Sequence, residues 1–175
     1  MLFNFFLGER PFSENETFYL KRLMDRFTNK PNVYISLHAY SQMWLYPFGI
    51  GITSPVDEKL KRYAKLGVEN LRKANKKDSD DSLPEWKYGR AIDIMYNAGG
   101  ISIDWAHKDV GIDLVYTLEM RDSGKYGFLL PDDQIEPAFR EVWSGLSAVL
   151  QAYAEDLDQA AAAELTTTPA AETPE

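Results

Sequence analysis

The chain has 175 residues, 45% of them hydrophobic and 26% charged, enough for one ordinary globular domain and too few for two comfortable ones. Its net charge of −8 and the scatter of its Lys and Arg residues exclude nucleic-acid binding through a polybasic surface. It has no cysteine, which removes disulfides, thiolate zinc sites and cysteine nucleophiles.

The opening MLFNFFLG is apolar but lacks a basic n-region and a small-residue cleavage site, and it is too short to span a bilayer. It reads as a buried strand end or the start of a shortened gene product; neither a signal peptide nor membrane association is expected. Ser13 and Glu16 have capping-box spacing, predicting a helix start in which the two side chains satisfy free amides of the first turn. Leu20, Leu23, Met24 and Phe27 then recur at helical spacing, predicting one buried face. Asn29, Pro31 and Asn32 stop the helix. Val33, Ile35 and Leu37 alternate with Tyr34, Ser36 and His38, the pattern of a strand running into Tyr40. A second short strand is predicted from Gln42 to Tyr46, ending at the Pro47-Phe48-Gly49 turn.

Val56, Leu60, Tyr63, Ala64, Val68 and Leu71 predict a helix from Val56 to Ala74. Residues 75–90 are polar and read as a long surface loop, a type often functional in compact domains. Ala98-Gly99-Gly100 marks another irregular stretch. Ile112 to Met120 is strongly apolar and predicts a mostly buried strand. Asp132-Asp133 opens the last helix, where acidic residues suit the positive end of the dipole. Its expected buried face is Ile135, Phe139, Val142, Trp143, Leu146, Val149 and Leu150. Ala160 to Leu165 can extend it, but Thr166 to Glu175 has no apolar face to bury. The division is therefore a domain over 1–157 and a disordered Ala/Thr/Pro/Glu tail over 158–175.

Three positions stand out chemically. His38 ends a strand, where ligands sit in open α/β sheets, although a lone histidine is more often a structural hydrogen-bonding residue. Glu119 lies near the end of an apolar strand on a face with Val115 and Thr117, where a carboxylate is costly unless paired or used. Arg121 offers it an ion pair as the plainer explanation. Tyr96 beside the glycines is either a mobile aromatic or a core residue. Metal-ligand spacing fails when taken alone, because neither His38 nor His107 begins an H-x-x-E pair and no HExxH occurs.

Taken together, four segments resemble the carboxypeptidase A/B family of zinc carboxypeptidases. SLHAYSQMWLYPFG (Ser36 to Gly49) resembles the segment around the family's third zinc ligand. YNAGGISIDW (Tyr96 to Trp105) is similar to the loop of its mobile tyrosine. LEMRDSGKYGFLLPDDQIEPAFREVW (Leu118 to Trp143) resembles the signature around its catalytic glutamate. GERPFSENET (Gly8 to Thr17) is similar to the run that opens a helix before the histidine strand. They occur in family order over about 145 residues of the sequence. The resemblance implies an α/β fold, part of a mixed central sheet flanked by helices, corresponding to the C-terminal half of the family domain. It implies zinc, with His38 the one ligand of three that this chain holds. Glu119 matches the general base that activates zinc-bound water and passes the proton to the leaving amine. Tyr96 matches the tyrosine that closes over the substrate carboxylate, and Tyr40 and Phe128 match subsite residues. Thr117 is grouped with these substrate-binding positions. Ile103 matches the floor of the pocket for the C-terminal side chain; Lys/Arg-preferring members have Asp there, so Ile103 implies apolar or aromatic C-terminal residues. Asp104 belongs to the common Ile-Asp-Trp run and is not read as a specificity charge. The implied partners are peptide or protein C-termini, and full-length members are usually extracellular.

The family's H-x-x-E has no counterpart in this sequence, nor do the arginine that polarises the scissile carbonyl and the Asn-Arg pair that clamps the terminal carboxylate. Ile101 replaces a Gly in the tyrosine loop, and one extra residue lies between Trp105 and Gly111. The expected function is a metallocarboxypeptidase, inactive as this chain alone. The alternatives are a non-catalytic peptide-binding or decoy fragment and a non-functional remnant. The chain on its own is therefore expected neither to bind zinc tightly nor to hydrolyse a substrate ending in Phe or Leu; stoichiometric zinc in elemental analysis of the purified chain would contradict this.

Overall fold

A computed structural model describes residues 8–51, 57–77 and 85–167. The expectations for Met1–Leu7, for Val56, for the polar segment 78–84 and for the last eight residues, 168–175, lie outside these. The elements run α1 (Asn15–Met24), β1 (Val33–Ala39), β2 (Met43–Tyr46), α2 (Asp57–Lys77), β3 (Lys87–Arg90), α3 (Ala91–Ile94), α4 (Ser102–Lys108), β4 (Leu114–Met120) and α5 (Ile135–Thr167). The four strands form one mixed sheet in the order β1-β4-β2-β3. β1 and β4 are parallel, β2 and β3 are parallel, and β2 runs antiparallel to β4. The architecture is the expected α/β arrangement of a mixed sheet flanked by helices.

Side chains alternate across a strand, so the β1–β4 register divides the sheet into two faces. Val33, Ile35 and Leu37 lie level with Leu114, Tyr116 and Leu118 on one face; Tyr34, Ser36 and His38 lie level with Val115, Thr117 and Glu119 on the other. The first face receives α2 and α5. Leu60, Tyr63, Val68 and Leu71 of α2 and Val142, Val149 and Tyr153 of α5 close over Trp44, Leu114, Tyr116 and Leu118. The second face is covered only in part: Ala106, Ile112 and Val115 pack with Met24, Tyr34 and Trp105, which places α4 and the end of α1 there. Phe12 meets Trp105 edge to face at 5.4 Å and fixes the approach to α1.

The helices α2 and α5 approach through glycines. A Cβ on Gly145 would lie 2.9 Å from the Gly67 carbonyl oxygen, and one on Gly67 would lie 2.5 Å from the buried Trp44 ring. Polar ties hold the same layer. The Asp113 carboxylate accepts from Lys59 and from the Tyr153 hydroxyl, the latter at 2.7 Å. Burial pushes the Asp113 carboxyl up, and these two bonds more than reverse it, leaving it below the usual range.

Several sequence expectations need correction. Ser13 and Glu16 do not form a capping box: Glu14 is the N-cap, without a side-chain cap bond, and the Ser13 hydroxyl donates to the Glu14 carboxylate at 2.8 Å. Helix α1 has no buried residue, and Leu23 and Phe27 are exposed. In α5, Val142 and Val149 are buried as expected, whereas Ile135, Phe139 and Trp143 face outward, with Phe139 and Trp143 stacked at 6.2 Å. Of the expected 75–90 loop, residues 75–77 belong to α2 and the last four form β3. Helix α4 begins within the Tyr96 to Trp105 segment that resembles the family's tyrosine loop. Helix α5 continues to Thr167 with its last turns exposed, so residues 158–167 of the expected disordered tail are helical.

The Gly67 contact gives a direct test. In an exposed helix, Gly→Ala gains about 1 kcal/mol of stability. At Gly67 the new methyl overpacks against Trp44, so Gly67→Ala is expected to lower the stability from urea unfolding by about 1–3 kcal/mol; a gain would contradict the packing described.

Candidate functional site

The site begins with register. His38 and Glu119 are paired positions on the parallel strands β1 and β4, each one residue before its strand ends. Parity puts both side chains on the sheet face away from α2 and α5. One step back, Thr117 lies level with Ser36 on β1 and Leu45 on β2. The His38 Nε2 is 2.8 Å from the Ser36 hydroxyl, so the ring is oriented by a neighbour on its own strand and face. Ser36 as that partner went unrecognised in the sequence, although its i, i+2 spacing from His38 was visible.

Glu119 is half-buried. Desolvation raises its carboxyl above the ordinary value, and the nearby His38 opposes this only in part. Arg121 does not neutralise it. The Arg121 Nε donates to Glu141 at 2.9 Å, and a second nitrogen donates to Gln134 at 3.0 Å. Both members of that ion pair are buried, and the other Glu141 oxygen accepts the Trp86 indole N–H at 2.5 Å. The sequence reading left an Arg121–Glu119 pair open; the structure assigns the arginine to α5.

Beyond Glu119 the chain turns through a loop built on Asp122, which accepts N–H bonds from Gly124 (2.8 Å), Tyr126 (2.7 Å) and Gly127 (3.2 Å). Burial pushes the Asp122 carboxyl up, but the backbone donors together hold it below the usual range. An acidic residue two before a glycine is an Asx-turn signal that could have flagged this position. The loop lays Gly127 at φ +59° against the Tyr40 ring, where a Cβ would approach to 3.1 Å. Phe128, 81% exposed, meets Tyr40 edge to face at 5.1 Å. Tyr40 follows β1 and Phe128 follows β4, so these two subsite candidates are brought together beyond the ends of the strands that carry His38 and Glu119.

Tyr96 and Ile103 belong to a second group. Tyr96 is exposed in the irregular segment after α3, and Ile103 is fully buried in the first turn of α4. Their segment is fastened to the Pro47-Phe48-Gly49 turn. The Ala98 N–H donates to the Gly49 carbonyl at 2.9 Å, and the Gly49 N–H donates to both Asp104 oxygens at 3.1 Å. Burial raises the Asp104 carboxyl and the Gly49 bond partly offsets it, so Asp104 serves as an anchor. Gly49 has no room for a side chain, since a Cβ would lie 2.4 Å from the Ala98 oxygen and 2.6 Å from Ile101.

The donors that could hold a metal are few. His38 offers one imidazole, and among the described residues no three His, Cys, Asp or Glu side chains converge. A zinc centre with three protein ligands is therefore not completed by these residues.

A zinc carboxypeptidase family model matches residues 4–145. The chain belongs to the zinc carboxypeptidase family. It is 34% identical over 145 residues to carboxypeptidase B of Astacus astacus, covering 82% of this chain and 46% of the relative. Against carboxypeptidase A1 of Bos taurus it is 37% identical over 142 residues, covering 78% and 32%. The structure superposes on bovine thrombin-activatable fibrinolysis inhibitor, solved in complex with tick carboxypeptidase inhibitor. That match has a TM-score of 0.77 and 29% identity, covering 85% of this chain and 48% of that one. Carboxypeptidase A from Helicoverpa armigera shares the fold at a TM-score of 0.72 and 24% identity, covering 83% and 35%. The chain thus spans less than half of the length of these curated relatives.

The raised Glu119 carboxyl has a definite sign. A carboxyl whose folded pKa exceeds its unfolded value adds stability below the unfolded pKa, and that contribution is lost as pH rises through the folded pKa. Glu119→Gln removes this loss. Relative to the parent, the variant is expected to gain stability between pH 4 and pH 7, read from denaturant midpoints; parallel profiles would show that Glu119 is not desolvated.

Proposed function

We propose that this chain is the portion of a zinc carboxypeptidase that carries the general base and one metal ligand, and that the whole protein releases single apolar or aromatic residues from peptide C-termini. The observation that supports this most is the pairing of Glu119 with His38 at the ends of parallel strands, with the carboxyl raised by burial. A general base works best when its pKa lies near the operating pH, and desolvation moves Glu119 in that direction. In this reading Glu119 takes a proton from the water attacking the scissile carbonyl carbon. As the C–N bond breaks, Glu119 returns the proton to the leaving amine. Zinc is implied by the family; of the described residues His38 would hold it, and the metal when bound would supply Lewis-acid polarisation of the attacking water and the scissile carbonyl. Tyr96 covers the substrate's terminal carboxylate, and Tyr40, Phe128 and Thr117 line the approach to the scissile bond.

The preference for apolar residues rests on Ile103, because relatives named carboxypeptidase A and carboxypeptidase B match at similar identity. A cationic side chain buried against Ile103 would have no counter-charge from that position.

The test uses the longest protein encoded by the gene, assayed on peptides ending in Phe, Leu, Lys or Arg. Turnover of Phe and Leu substrates should dominate. Glu119→Gln should lower kcat by about 10²–10⁴-fold with KM little changed. Undiminished kcat in that variant would remove Glu119 as the base, and a Lys/Arg preference would remove Ile103 as the pocket floor. Binding of C-terminal peptides without turnover would favour the non-catalytic alternative.

A further inference from the structure

We infer that Ile101 is a specificity-determining residue: its side chain fills the outer part of the pocket floored by Ile103, so that the site takes branched aliphatic C-terminal residues such as Leu in preference to aromatic ones. The inference rests on the proposed carboxypeptidase reading, with Ile103 as the pocket floor, and narrows the substrate class within it.

Gly49 leaves a gap on the Pro47-Phe48-Gly49 turn, and Ile101 occupies it. A Cβ built on Gly49 would lie 2.6 Å from the Ile101 Cδ1 and 3.2 Å from its Cγ1, so the tip of the isoleucine is pressed against the Gly49 backbone. The segment that carries it is tied to Gly49 on both sides. The Ala98 N–H donates to the Gly49 carbonyl before Ile101, and the Asp104 carboxylate accepts the Gly49 N–H after it. The backbone at Ile101 cannot swing away from the turn without breaking one of these ties. Branching at Cβ also restricts its χ1, which makes the packing stiff.

The resemblance places a glycine where this chain has Ile101, and the local backbone requires neither. Ile101 is the N-cap of α4 at φ −74° and ψ 146°, ordinary extended geometry, and it makes no side-chain cap bond. What the isoleucine adds is volume, and that volume lies in the tyrosine segment against the turn. Ile103, two residues on, is fully buried, and Phe48 of the turn is 4% exposed. Binding pockets are largely pre-formed concavities, so an open one leaves its floor accessible. Here the floor is sealed, and Ile101, only partly buried itself, joins the segment above it to the turn. A pocket shortened in this way has room for an isobutyl group before it has room for a benzyl or indole ring. Apolar pockets discriminate by about 10–200-fold for a single methylene, so the preference is expected to reach tenfold or more.

Two measurements test this, one of them independent of activity. In the longest protein encoded by the gene, kcat/KM for a peptide ending in Leu is expected to exceed that for Phe about tenfold or more. Ile101→Gly should raise the Phe-to-Leu ratio at least tenfold, and Ile101→Val should keep the parent's order. Equal use of Leu and Phe by the parent, or an unchanged ratio in Ile101→Gly, overturns the inference. So does an equal fall on both substrates, which would make Ile101 a positioning residue for the loop. The second measurement exploits the absence of cysteine from the 175-residue chain. Ile103→Cys supplies a single thiol, and its alkylation by N-ethylmaleimide is followed by intact mass. Labelling should be slow in Ile103→Cys and at least tenfold faster in Ile101→Gly/Ile103→Cys, at matched circular dichroism. Ile101→Ala replaces Ile101→Gly if the glycine variant loses that signal. Equal labelling rates overturn the inference. A protein that turns over neither substrate counts against the proposed activity, and the thiol then decides the role of Ile101 alone.

Discussion

The parallel pairing of β1 with β4 is the constraint on which the site depends. Neither His38 nor Glu119 has the other within reach in sequence; they meet because the ladder sets Val33 against Leu114 and keeps step to Ala39 and Met120. A one-residue slip would turn either side chain to the opposite face, into the layer filled by α2 and α5. Their register is fixed by what lies behind them. Tyr116 and Leu118 are committed to the core, and the Tyr116 hydroxyl donates to the Leu60 carbonyl at 2.7 Å, so β4 cannot shift without losing that bond.

A second constraint decides the charge state around Glu119. Arg121 is close in sequence, but its partner is Glu141, and the pair is sealed with the Trp86 indole and Gln134 around it. Removing one member of such a buried pair typically costs about 3–5 kcal/mol, because the other charge is left without compensation. The arginine is thereby held away from Glu119, whose carboxyl is raised by desolvation with only His38 opposing. Asp122, next in the chain, is lowered instead because three backbone donors converge on it. Two carboxylates three positions apart are thus shifted in opposite directions by burial on one side and amide dipoles on the other.

Much of this was legible in the residues, where periodicity and packing agree. The alternation of Val33 to His38, the apolar run ending at Met120 and the helical spacing from Leu60 to Leu71 all correspond to observed elements. The short strand Lys87–Arg90 was not legible. Lys-Tyr-Gly-Arg has little strand preference, and it becomes a strand because β2 offers an edge. The apolar spacing of α1 and of Ile135, Phe139 and Trp143 was visible, but spacing states which residues share a face and not whether anything covers it. At the site, the motifs pointed to His38 and Glu119, whereas their juxtaposition required the register. The roles of Glu141 and Gln134 as anchors came from tertiary contacts alone.

The order in which the chain joins β1 to β4 has a kinetic consequence. Helix α2 and the β2–β3 pairing close over shorter stretches of chain, while β1 meets β4 only after everything between them has been gathered in. Loop closure over a long span must be paid for before its contacts reward it, so this pairing is expected among the slowest events of folding. The strand that carries His38 is therefore expected to be among the last to find its partner on the way to the folded state.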